Sequence, residues 1–369
     1  MTYQLITTNE QLKASCLQLS QHNIVAVDTE FKRESTYFPI PCLFQFASAE
    51  ITICVDPFKI DDLSPIKELF ANENILKIFH AGRQDLEIFY YLFNELPKPI
   101  FDTQIAAGIL GFPAQVGYAK LVLDYINIEL DKTLTRADWE KRPLPEKQLD
   151  YAANDVIYLL QVYSKQIEAL TKANRLHWPD SDNQSLLDES LYRPAPSTAW
   201  KKMRNYNYFS AEERRIASTI AHWREEKAIE RNRPRKFIFD NPVISALSTN
   251  KPTTLEELQS LENIPGFVVR KYSQELLNLI QVALNSDTQP NEQAFTRLSD
   301  EQCKTVKEIQ KLIKHISEKE NIEATVICGK KEIEKLVLGN KSLPILQGWR
   351  YELVGKLANE ILQSPHEQK

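Results

Sequence analysis

The sequence predicts a mixed α/β sheet flanked by helices, followed by two small all-α domains. Short β-branched runs alternate with helical patterns over about the first 110 residues. A long amphipathic helix follows, and beyond about residue 208 the apolar residues show only helical periodicity, in two similar halves. The length of 369 residues agrees with two or three domains.

Five short runs predict the sheet. The first three are close enough in the chain to pair antiparallel: Ile24–Val27, Cys42–Ala47 and Ile51–Val55. Lys77–His80 and Ile100–Phe101 follow, and the helical spacing of Asp85–Phe93 separates them. Three meandering strands and then strands that alternate with helices predict a mixed sheet with helices packed on it.

The rear of the chain is divided by changes in periodicity. Apolar residues recur every three or four positions from Pro145 to Leu170, which predicts one helix with Pro145 in its first turn. Three prolines among polar residues then indicate a linker. Gly266-Phe267 and Gly348-Trp349 form similar corners on either side of a polar break at 285–291. We therefore predict an α/β domain and two helical domains joined by a linker, with the bounds 1–175, 176–207 (linker), 208–288 and 289–369.

Composition excludes several classes of protein. The chain has only nine glycines and lacks both GxGxxG and GxxxxGK(S/T), so we expect no nucleotide cofactor. The longest uncharged stretch, 103–119, is too short and too interrupted to cross a membrane, so we expect no membrane partner. Five scattered cysteines without CxxC spacing predict a reducing, cytoplasmic location.

The two parts of the chain differ in charge. Residues 1–190 hold 17 basic and 27 acidic residues, whereas the remainder holds 28 basic and 23 acidic. The stretch 199–236 alone has 11 basic and 5 acidic residues. The front carboxylates are suited to metal ions and the rear cations to phosphates. On charge alone, two solvated surfaces of unlike composition explain the pattern equally well.

An acidic pair ends the first predicted strand. Asp28 and Glu30 are two positions apart, and their side chains therefore point to the same face of the strand. Two neighbouring carboxylates are costly unless a positive group lies between them, and Mg²⁺ or Mn²⁺ prefers such oxygen ligands. The alternative is a pair of solvated carboxylates at a turn.

Three further residues complete the candidate site. Asp85 opens a helix, where interaction with the helix dipole is the structural alternative. Tyr151 and Asp155 are four apart in the long helix and share one face, although Asp155 would also suit a solvated position. Each residue alone is weak evidence. Together, four carboxylates and a phenol on elements that could converge at one end of the sheet predict a single site.

These motifs resemble those of a known family, the DEDD 3′→5′ exonucleases in the tyrosine-containing subclass. The resemblance rests on Val27–Phe31, on Phe79–Leu86 and on Tyr151–Leu159. The segments Thr135–Trp139 and Arg142–Leu144 are similar to those before the third motif in bacterial ribonuclease D. The two rear units are similar to the paired helicase-and-RNase-D C-terminal (HRDC) domains of that family. The resemblance implies an RNase H-like sheet.

The resemblance also implies a chemistry with two divalent ions, Mg²⁺ or Mn²⁺, as cofactors. Asp28 is expected to bridge both ions, Glu30 and Asp155 to complete the site of the ion that carries the attacking water, and Asp85 to hold the second. Tyr151 is expected to align the attacking water. The implied enzyme is a 3′→5′ exoribonuclease that releases nucleoside 5′-monophosphates, with tRNA precursors as its RNA substrates.

Substrate contacts are predicted at two groups of residues. Phe31 and Tyr37 are suited to stacking on terminal bases, Gln45 to contacting the terminal nucleotide and His80 to facing a phosphate. Ordinary core packing is the alternative for all four. In the basic stretch 224–236 we predict contacts with the RNA backbone, or else a solvated helix face, for Arg231, Arg233 and Arg235.

Two other functions fit the same residues. A 3′→5′ DNA exonuclease uses the same carboxylates, and the sequence contains no recognisable 2′-hydroxyl detector. A non-catalytic RNA-binding protein on a nuclease fold is the second alternative. The complete set of acidic residues argues against it, because a protein that only binds has no need for buried like charges.

Overall fold

The structure, a computed structural model, describes residues 3–134, 137–286 and 298–363, which divide into two compact units. The first unit comprises the described residues within Met1–Lys32, Pro41–Tyr192 and Thr296–Lys369. The second comprises Arg33–Ile40 and the described residues within Arg193–Phe295. Residues 135–136 of the predicted motif and most of the polar break at 285–291 lie outside the described residues.

A six-stranded mixed sheet forms the centre of the first unit and confirms the predicted fold class. Its strands are β1 (Gln4–Ile6), β2 (Ile24–Lys32), β3 (Ile40–Ala47), β4 (Thr52–Val55), β5 (Leu76–Phe79) and β6 (Ile100–Asp102). The order is β1-β4-β3-β2-β5-β6, with β3 and β4 antiparallel and with β1–β4, β2–β5 and β5–β6 parallel. The prediction missed β1, because three residues are too few to show a period.

Helices cover both faces of this sheet. They are α1 (Asn9–Leu19), α2 (Ser64–Ala71), α3 (Arg83–Phe93), α4 (Thr103–Ile109), α5 (Tyr118–Ile126), α6 (Glu146–Lys172) and α7 (Asp180–Leu186). One buried cluster joins β2 to residues of α1, α2 and α3, and another joins it to α4 and α6. Helix α6 confirms the predicted long helix. Each face of β2 is therefore packed against a different set of helices.

The stretch interpreted as a linker, 176–207, has more regular structure than expected. It contains α7 and three 3₁₀ segments, Glu189–Leu191, Pro196–Lys202 and Tyr206–Tyr208. The α7 sequence, DSDNQSL, is mostly polar and has no apolar period that would reveal a helix. One of its side chains, Asn183, is nevertheless buried.

The second unit is helical, with the segment Arg33–Ile40 packed into it. Its helices are α8 (Ala211–Glu230), α9 (Arg235–Ile238), α10 (Asn241–Asn250), α11 (Leu255–Ser260) and α12 (Gly266–Leu284). The Tyr37 hydroxyl donates to the buried Glu225 carboxylate, and Asn232 Oδ1 accepts from the Tyr37 and Phe38 amides, each at 3.0 Å. The segment that follows β2 thus belongs to the helical unit.

The last described helices belong to the first unit. They are α13 (Asp300–Glu320), α14 (Ala324–Ile327), α15 (Lys330–Val337), α16 (Gly348–Arg350) and α17 (Lys356–Gln363), with a π-helical turn at Tyr351–Gly355. They have a buried cluster of their own and group with the sheet. Within the described ranges, every helix is too short or too polar to cross a bilayer.

Candidate active site

Three acidic side chains meet where β2 faces α6. Asp28 and Glu30 project from β2, and Asp155 projects from the middle of α6. Each offers a carboxylate oxygen, and the three oxygens lie within 4.8 Å of one another. The structure therefore brings together three of the four predicted carboxylates.

Strand alternation explains why Asp28 and Glu30 reach α6. Val25 and Val27 pack in the cluster that includes residues of α3, whereas Ala26 packs against Val156 and Leu159 of α6. Asp28 and Glu30 are in register with Ala26, and they therefore point to the α6 face. Asp155 precedes Val156 at the point where this apolar contact ends.

The fourth carboxylate, Asp85, lies in the first turn of α3 and is 8% exposed. The buried Thr29 hydroxyl donates a hydrogen bond to Asp85 Oδ1 at 2.5 Å. Burial and then the negative charge on Asp28 raise the pKa of Asp85, and Asp85 is among the carboxylates that add to the effect of burial in raising the pKa of Glu30. Asp85 is therefore electrostatically linked to Asp28 and Glu30. The sequence analysis did not single out Thr29, whose only signal was its place between two acids.

Burial and like charge disfavour ionisation of the cluster. Burial, then the neighbouring Asp155, raises the pKa of Asp28 to about 8. Burial and the surrounding carboxylates raise the pKa of Glu30 to about 10. Burial raises the pKa of Asp155 to about 7, although a hydrogen bond with Tyr151 opposes the shift. Such a site is stabilised by any group that brings positive charge.

The donor set fits a hard divalent cation. The converging atoms are carboxylate oxygens, the ligands that Mg²⁺ and Mn²⁺ prefer over nitrogen or sulfur. A cation bound there would relieve the repulsion that raises these pKa values. Asp28, Glu30 and Asp155 are thus the residues that can hold a metal ion directly, with Asp85 beside them.

Two tyrosines border the Asp155 carboxylate. Tyr151 lies one helical turn before Asp155 and hydrogen-bonds to it, as the spacing predicted. The Tyr118 hydroxyl, from the start of α5, donates to the Asp155 backbone carbonyl. The sequence analysis missed Tyr118 because the residue belongs to no motif. Its position near Asp155 and Asp28 is visible in its own pKa, which burial, followed by these carboxylates, raises.

The segment before α6 is fixed by Arg142. Its guanidinium binds the buried Asp56 carboxylate through two contacts of 2.7 Å and donates to the Cys42 carbonyl at 2.6 Å. Trp139 is buried in the same segment, and its ring centroid lies 6.2 Å from that of Tyr151. The segment that resembles the family therefore places the Trp139 ring beside the Tyr151 ring.

The loop between β5 and α3 is held by Asp102. Its carboxylate accepts from the Ala81 amide at 3.0 Å and from the Gly82 amide at 2.8 Å. Ala81 has φ of 53°, in the left-handed region that residues with a Cβ rarely adopt. These contacts hold a strained loop that leads directly to Asp85.

Within the described residues, each ring nitrogen of His80 lies within hydrogen-bond distance of another protein group. Its Nε2 lies 3.2 Å from the Val116 carbonyl, which can only accept, so we assign the proton to Nε2. Its Nδ1 lies 3.0 Å from the Thr103 hydroxyl oxygen. Burial lowers the pKa of His80, which favours the neutral ring. The predicted contact of His80 with a phosphate remains a prediction.

The other predicted substrate contacts also have intramolecular surroundings. Phe31 and Tyr37 pack as partly buried residues against the apolar clusters of the first and second unit, respectively. Gln45 is 0% exposed, and its amide forms no hydrogen bond within the described residues. The basic residues bind a tyrosine hydroxyl, a backbone carbonyl and a carboxylate, in the pairs Arg231–Tyr272, Arg233–Ser35 and Arg235–Glu225. Their roles in binding RNA remain predictions.

The chain is similar to known proteins over most of its length. Residues 3–170 match the 3′-5′ exonuclease family, and residues 213–280 match the HRDC domain family. Ribonuclease D of Sphingobium indicum is 34% identical over 97% of this chain and 94% of its own length. Ribonuclease D of Escherichia coli is 32% identical over 98% of this chain and 99% of its own length. The crystal structure of Escherichia coli RNase D, described as an exoribonuclease involved in structured RNA processing, aligns with a TM-score of 0.91 at 32% identity, over 98% of this chain and 99% of that chain.

Proposed function

Because the chain belongs to the ribonuclease D family, whose exonuclease domain is generally dependent on divalent metal ions, we propose that it hydrolyses RNA from the 3′ end with two such ions at the carboxylate cluster. The chain is a 3′→5′ exoribonuclease by its family. The observation that carries the site is the convergence of Asp28, Glu30 and Asp155 oxygens within 4.8 Å. Carboxylates whose pKa values are raised by burial and by one another are suited to binding cations.

Bound divalent ions would activate a water and offset the charge that develops on the phosphodiester. The chain's own residues then have distinct roles. Asp28, Glu30 and Asp155 would hold the ions, with Asp28 shared between them and with Glu30 and Asp155 near the attacking water, and Asp85 would serve the side of the leaving 3′ oxygen. Tyr151 orients the water from its place beside Asp155. With a phenol pKa ordinarily near 10, orientation is a more suitable role for Tyr151 than proton removal.

The second unit supplies groups suited to binding the RNA backbone. An open groove of about 560 Å³ within this unit is lined by Arg33, Arg235 and Lys236, among others. Its cations suit phosphates, and its Tyr37 side chain is suited to stacking on a base. Because Glu225 neutralises much of the charge on Arg235, the exposed Lys236 is a stronger candidate than Arg235 for phosphate contacts.

The substrates that we propose are precursors of tRNA with short 3′ extensions, and the products are nucleoside 5′-monophosphates. Structured-RNA processing by the Escherichia coli relative supports this substrate class. We place the activity in the cytoplasm. The five free cysteines, four of them buried, support a reducing compartment.

The test is digestion of a tRNA transcript that carries a labelled 3′ extension, with the products sized over time. We expect stepwise shortening that requires Mg²⁺ or Mn²⁺, stops with EDTA and releases 5′-monophosphates. A DNA oligonucleotide of matched sequence should be degraded more slowly. Faster digestion of the DNA would favour a DNA exonuclease. RNA binding without metal-dependent cleavage would instead show a non-catalytic protein.

A further inference from the structure

The last helices pack closely on the nuclease part of the first unit. The rings of Trp178 and Trp349 stack with centroids 4.5 Å apart and an angle of 6°. Val326 of α14 packs in the cluster of α4 and α6, and a Cβ on Gly108 of α4 would lie 2.7 Å from Val326 Cγ2. Only glycine permits this approach. Residues 298–363 therefore pack closely against the nuclease part of the first unit.

One line of contacts begins at Arg350, which is 8% exposed. Its guanidinium binds both Asp182 carboxylate oxygens, each at 2.9 Å, and donates to the Val326 carbonyl at 2.8 Å. Asp182 lies in α7 next to Asn183, whose Oδ1 accepts from the Asp102 amide at 2.9 Å. Asp102 is the residue that holds the loop before Asp85.

A second line of contacts begins at Glu323, next to α14. Its carboxylate accepts a hydrogen bond from the Ala114 amide in the loop between α4 and α5. Two residues later, the Val116 carbonyl accepts from His80 Nε2 at 3.2 Å and from Gln104 Nε2 at 2.9 Å. The loop ends at Tyr118, whose hydroxyl binds the Asp155 carbonyl.

We propose that residues 298–363 position the nuclease centre, and that Arg350 and Glu323 are the positioning residues. The inference rests on the proposed function, because it concerns the geometry of the same carboxylates. Arg350 acts through α7 and Asp102 on the loop that precedes Asp85. Glu323 acts through the α4–α5 loop on His80 and Tyr118. Both lines of contacts start in residues 298–363. The first ends at the loop before Asp85, and the second ends at Tyr118, whose hydroxyl binds the Asp155 carbonyl.

The contacts favour this role over RNA binding for the same segment. Arg350 is a cation that could hold phosphate, but it is buried and bound to a carboxylate and to backbone carbonyls. Glu323 and Glu320 are anions, and Glu320 binds Arg175 at 3.2 Å. The side chains that join this segment to the sheet are thus occupied by protein contacts.

The test compares Glu323→Ala with Glu323→Gln in the full chain, because glutamine keeps an oxygen that can accept from the Ala114 amide. We expect Glu323→Ala to lower kcat on a 3′-extended RNA about tenfold, with KM changed less than about twofold, as for residues that orient metal ligands. Glu323→Gln should restore most of kcat. Glu318→Ala, an exposed change on α13, should leave kcat unaltered.

A second measurement follows the metal-free protein in EDTA. Hydrogen exchange of the amides of Ala81, Gly82 and Ala114 should speed up in Glu323→Ala or Arg350→Lys, at a temperature well below unfolding. RNA affinity in EDTA should stay within about twofold of the wild type. Titration with Mn²⁺ should show affinity weakened about tenfold.

Three outcomes overturn the inference. In the first, Glu323→Ala and Arg350→Lys lower the unfolding temperature but leave kcat and exchange at 81–82 and 114 unchanged. In the second, RNA affinity falls while kcat at saturating RNA does not, which would make the segment an RNA-binding element. In the third, Glu323→Gln is as impaired as Glu323→Ala. Failure of the proposed function is distinguishable, because the wild type itself would then show no metal-dependent cleavage.

Discussion

The Thr29 hydroxyl donates a hydrogen bond to Asp85 Oδ1 at 2.5 Å and so joins β2 to the first turn of α3. Thr29 is buried between two residues whose carboxylates point to the other face of the strand. One three-residue stretch of β2 therefore contributes two carboxylates directly and fixes a third through a hydroxyl. Asp85 can turn only at the expense of this hydrogen bond.

Replacing Thr29 with valine tests this relationship. Thr29→Val keeps the shape of the side chain but removes the donor, so the Asp85 carboxylate loses its orientation. We expect activity at low Mn²⁺ to fall about tenfold, with partial recovery at high Mn²⁺. Thr29→Ser keeps the hydroxyl and is the control. Equal rates for the valine and serine variants over the whole Mn²⁺ range would contradict the role.

If Asp28 and Asp155 hold metal ions, replacing either one with asparagine should cause a severe loss of activity. Asp28→Asn or Asp155→Asn should reduce kcat at least about a thousandfold, about 4 kcal/mol, because each removes a charge from the cation site. Circular dichroism and RNA affinity in EDTA should remain those of the wild type. Asp124→Asn, on the partly exposed end of α5, is the matched control. A near-normal rate in Mg²⁺ for either site variant would refute the two-metal assignment.

Tyr151→Phe separates alignment of water from metal binding. The variant loses a hydroxyl beside Asp155 but no carboxylate, so kcat should fall about ten- to hundredfold with Mn²⁺ affinity intact. The hydrogen bond to Asp155 also lowers that residue's pKa, so its loss should move the acidic limb of the rate profile to higher pH. Measuring kcat from pH 6 to 9 checks both effects. A profile identical to that of the wild type would remove Tyr151 from the mechanism.

Metal-free protein should lose stability as pH rises. The folded pKa of Asp155 is about 7 and that of Asp28 about 8, against about 3.9 for an unfolded aspartate. The folded state thus holds protons that the unfolded state releases. Their contribution is fully present below about pH 4 and is lost as pH rises through 7 and 8.

Asp28→Asn isolates this effect from other titrating groups. In EDTA at pH 8, the variant should be more stable than the wild type by about 1–3 kcal/mol, and the advantage should shrink towards pH 5. Mn²⁺ should stabilise the wild type at pH 8 and affect the variant less. Thermal unfolding with and without metal is the measurement. A difference independent of pH would argue against a buried, charged cluster.

RNA binding by the second unit predicts a change in salt dependence. Lys236→Ala and Arg233→Ala each remove an exposed cation of this unit. The slope of log affinity against log salt should fall by about 0.7 for each phosphate of single-stranded RNA that the variant no longer neutralises. Lys251→Ala, whose ammonium is paired with Glu212, is the control. Filter binding in EDTA from 50 to 300 mM salt provides the slopes, and parallel lines for all variants would exclude the site.

The fold class and the main acidic residues were predictable because they depend on local pattern. The D-x-E spacing puts Asp28 and Glu30 on one face, and the i, i+4 spacing puts Tyr151 beside Asp155. The strand runs and the long α6 helix follow from apolar periodicity. Each of these predictions needs only neighbours within a few residues of the chain.

The contacts that could not be predicted from the sequence join residues far apart in the chain. Asp102 holds amides about twenty positions away, and Tyr118 binds a carbonyl 37 positions away. Arg142 reaches Asp56 across 86 positions. No local period reports such pairings, since each depends on how separate elements pack. For the same reason the sequence predicts a second helical domain at 289–369 but not that its described residues, 298–363, group with the sheet.

Because the chain is synthesised from its N-terminus, the contact between Ala114 and Glu323 can form only late in translation. The two residues are 209 positions apart, and at about 5–20 residues per second a ribosome needs about 10 to 40 s to pass from one to the other. All four proposed metal ligands precede that interval or fall early within it. A nascent chain therefore carries all four carboxylates before Glu323 and the rest of residues 298–363 have been synthesised. Full cleavage of RNA should begin only after translation has passed these residues.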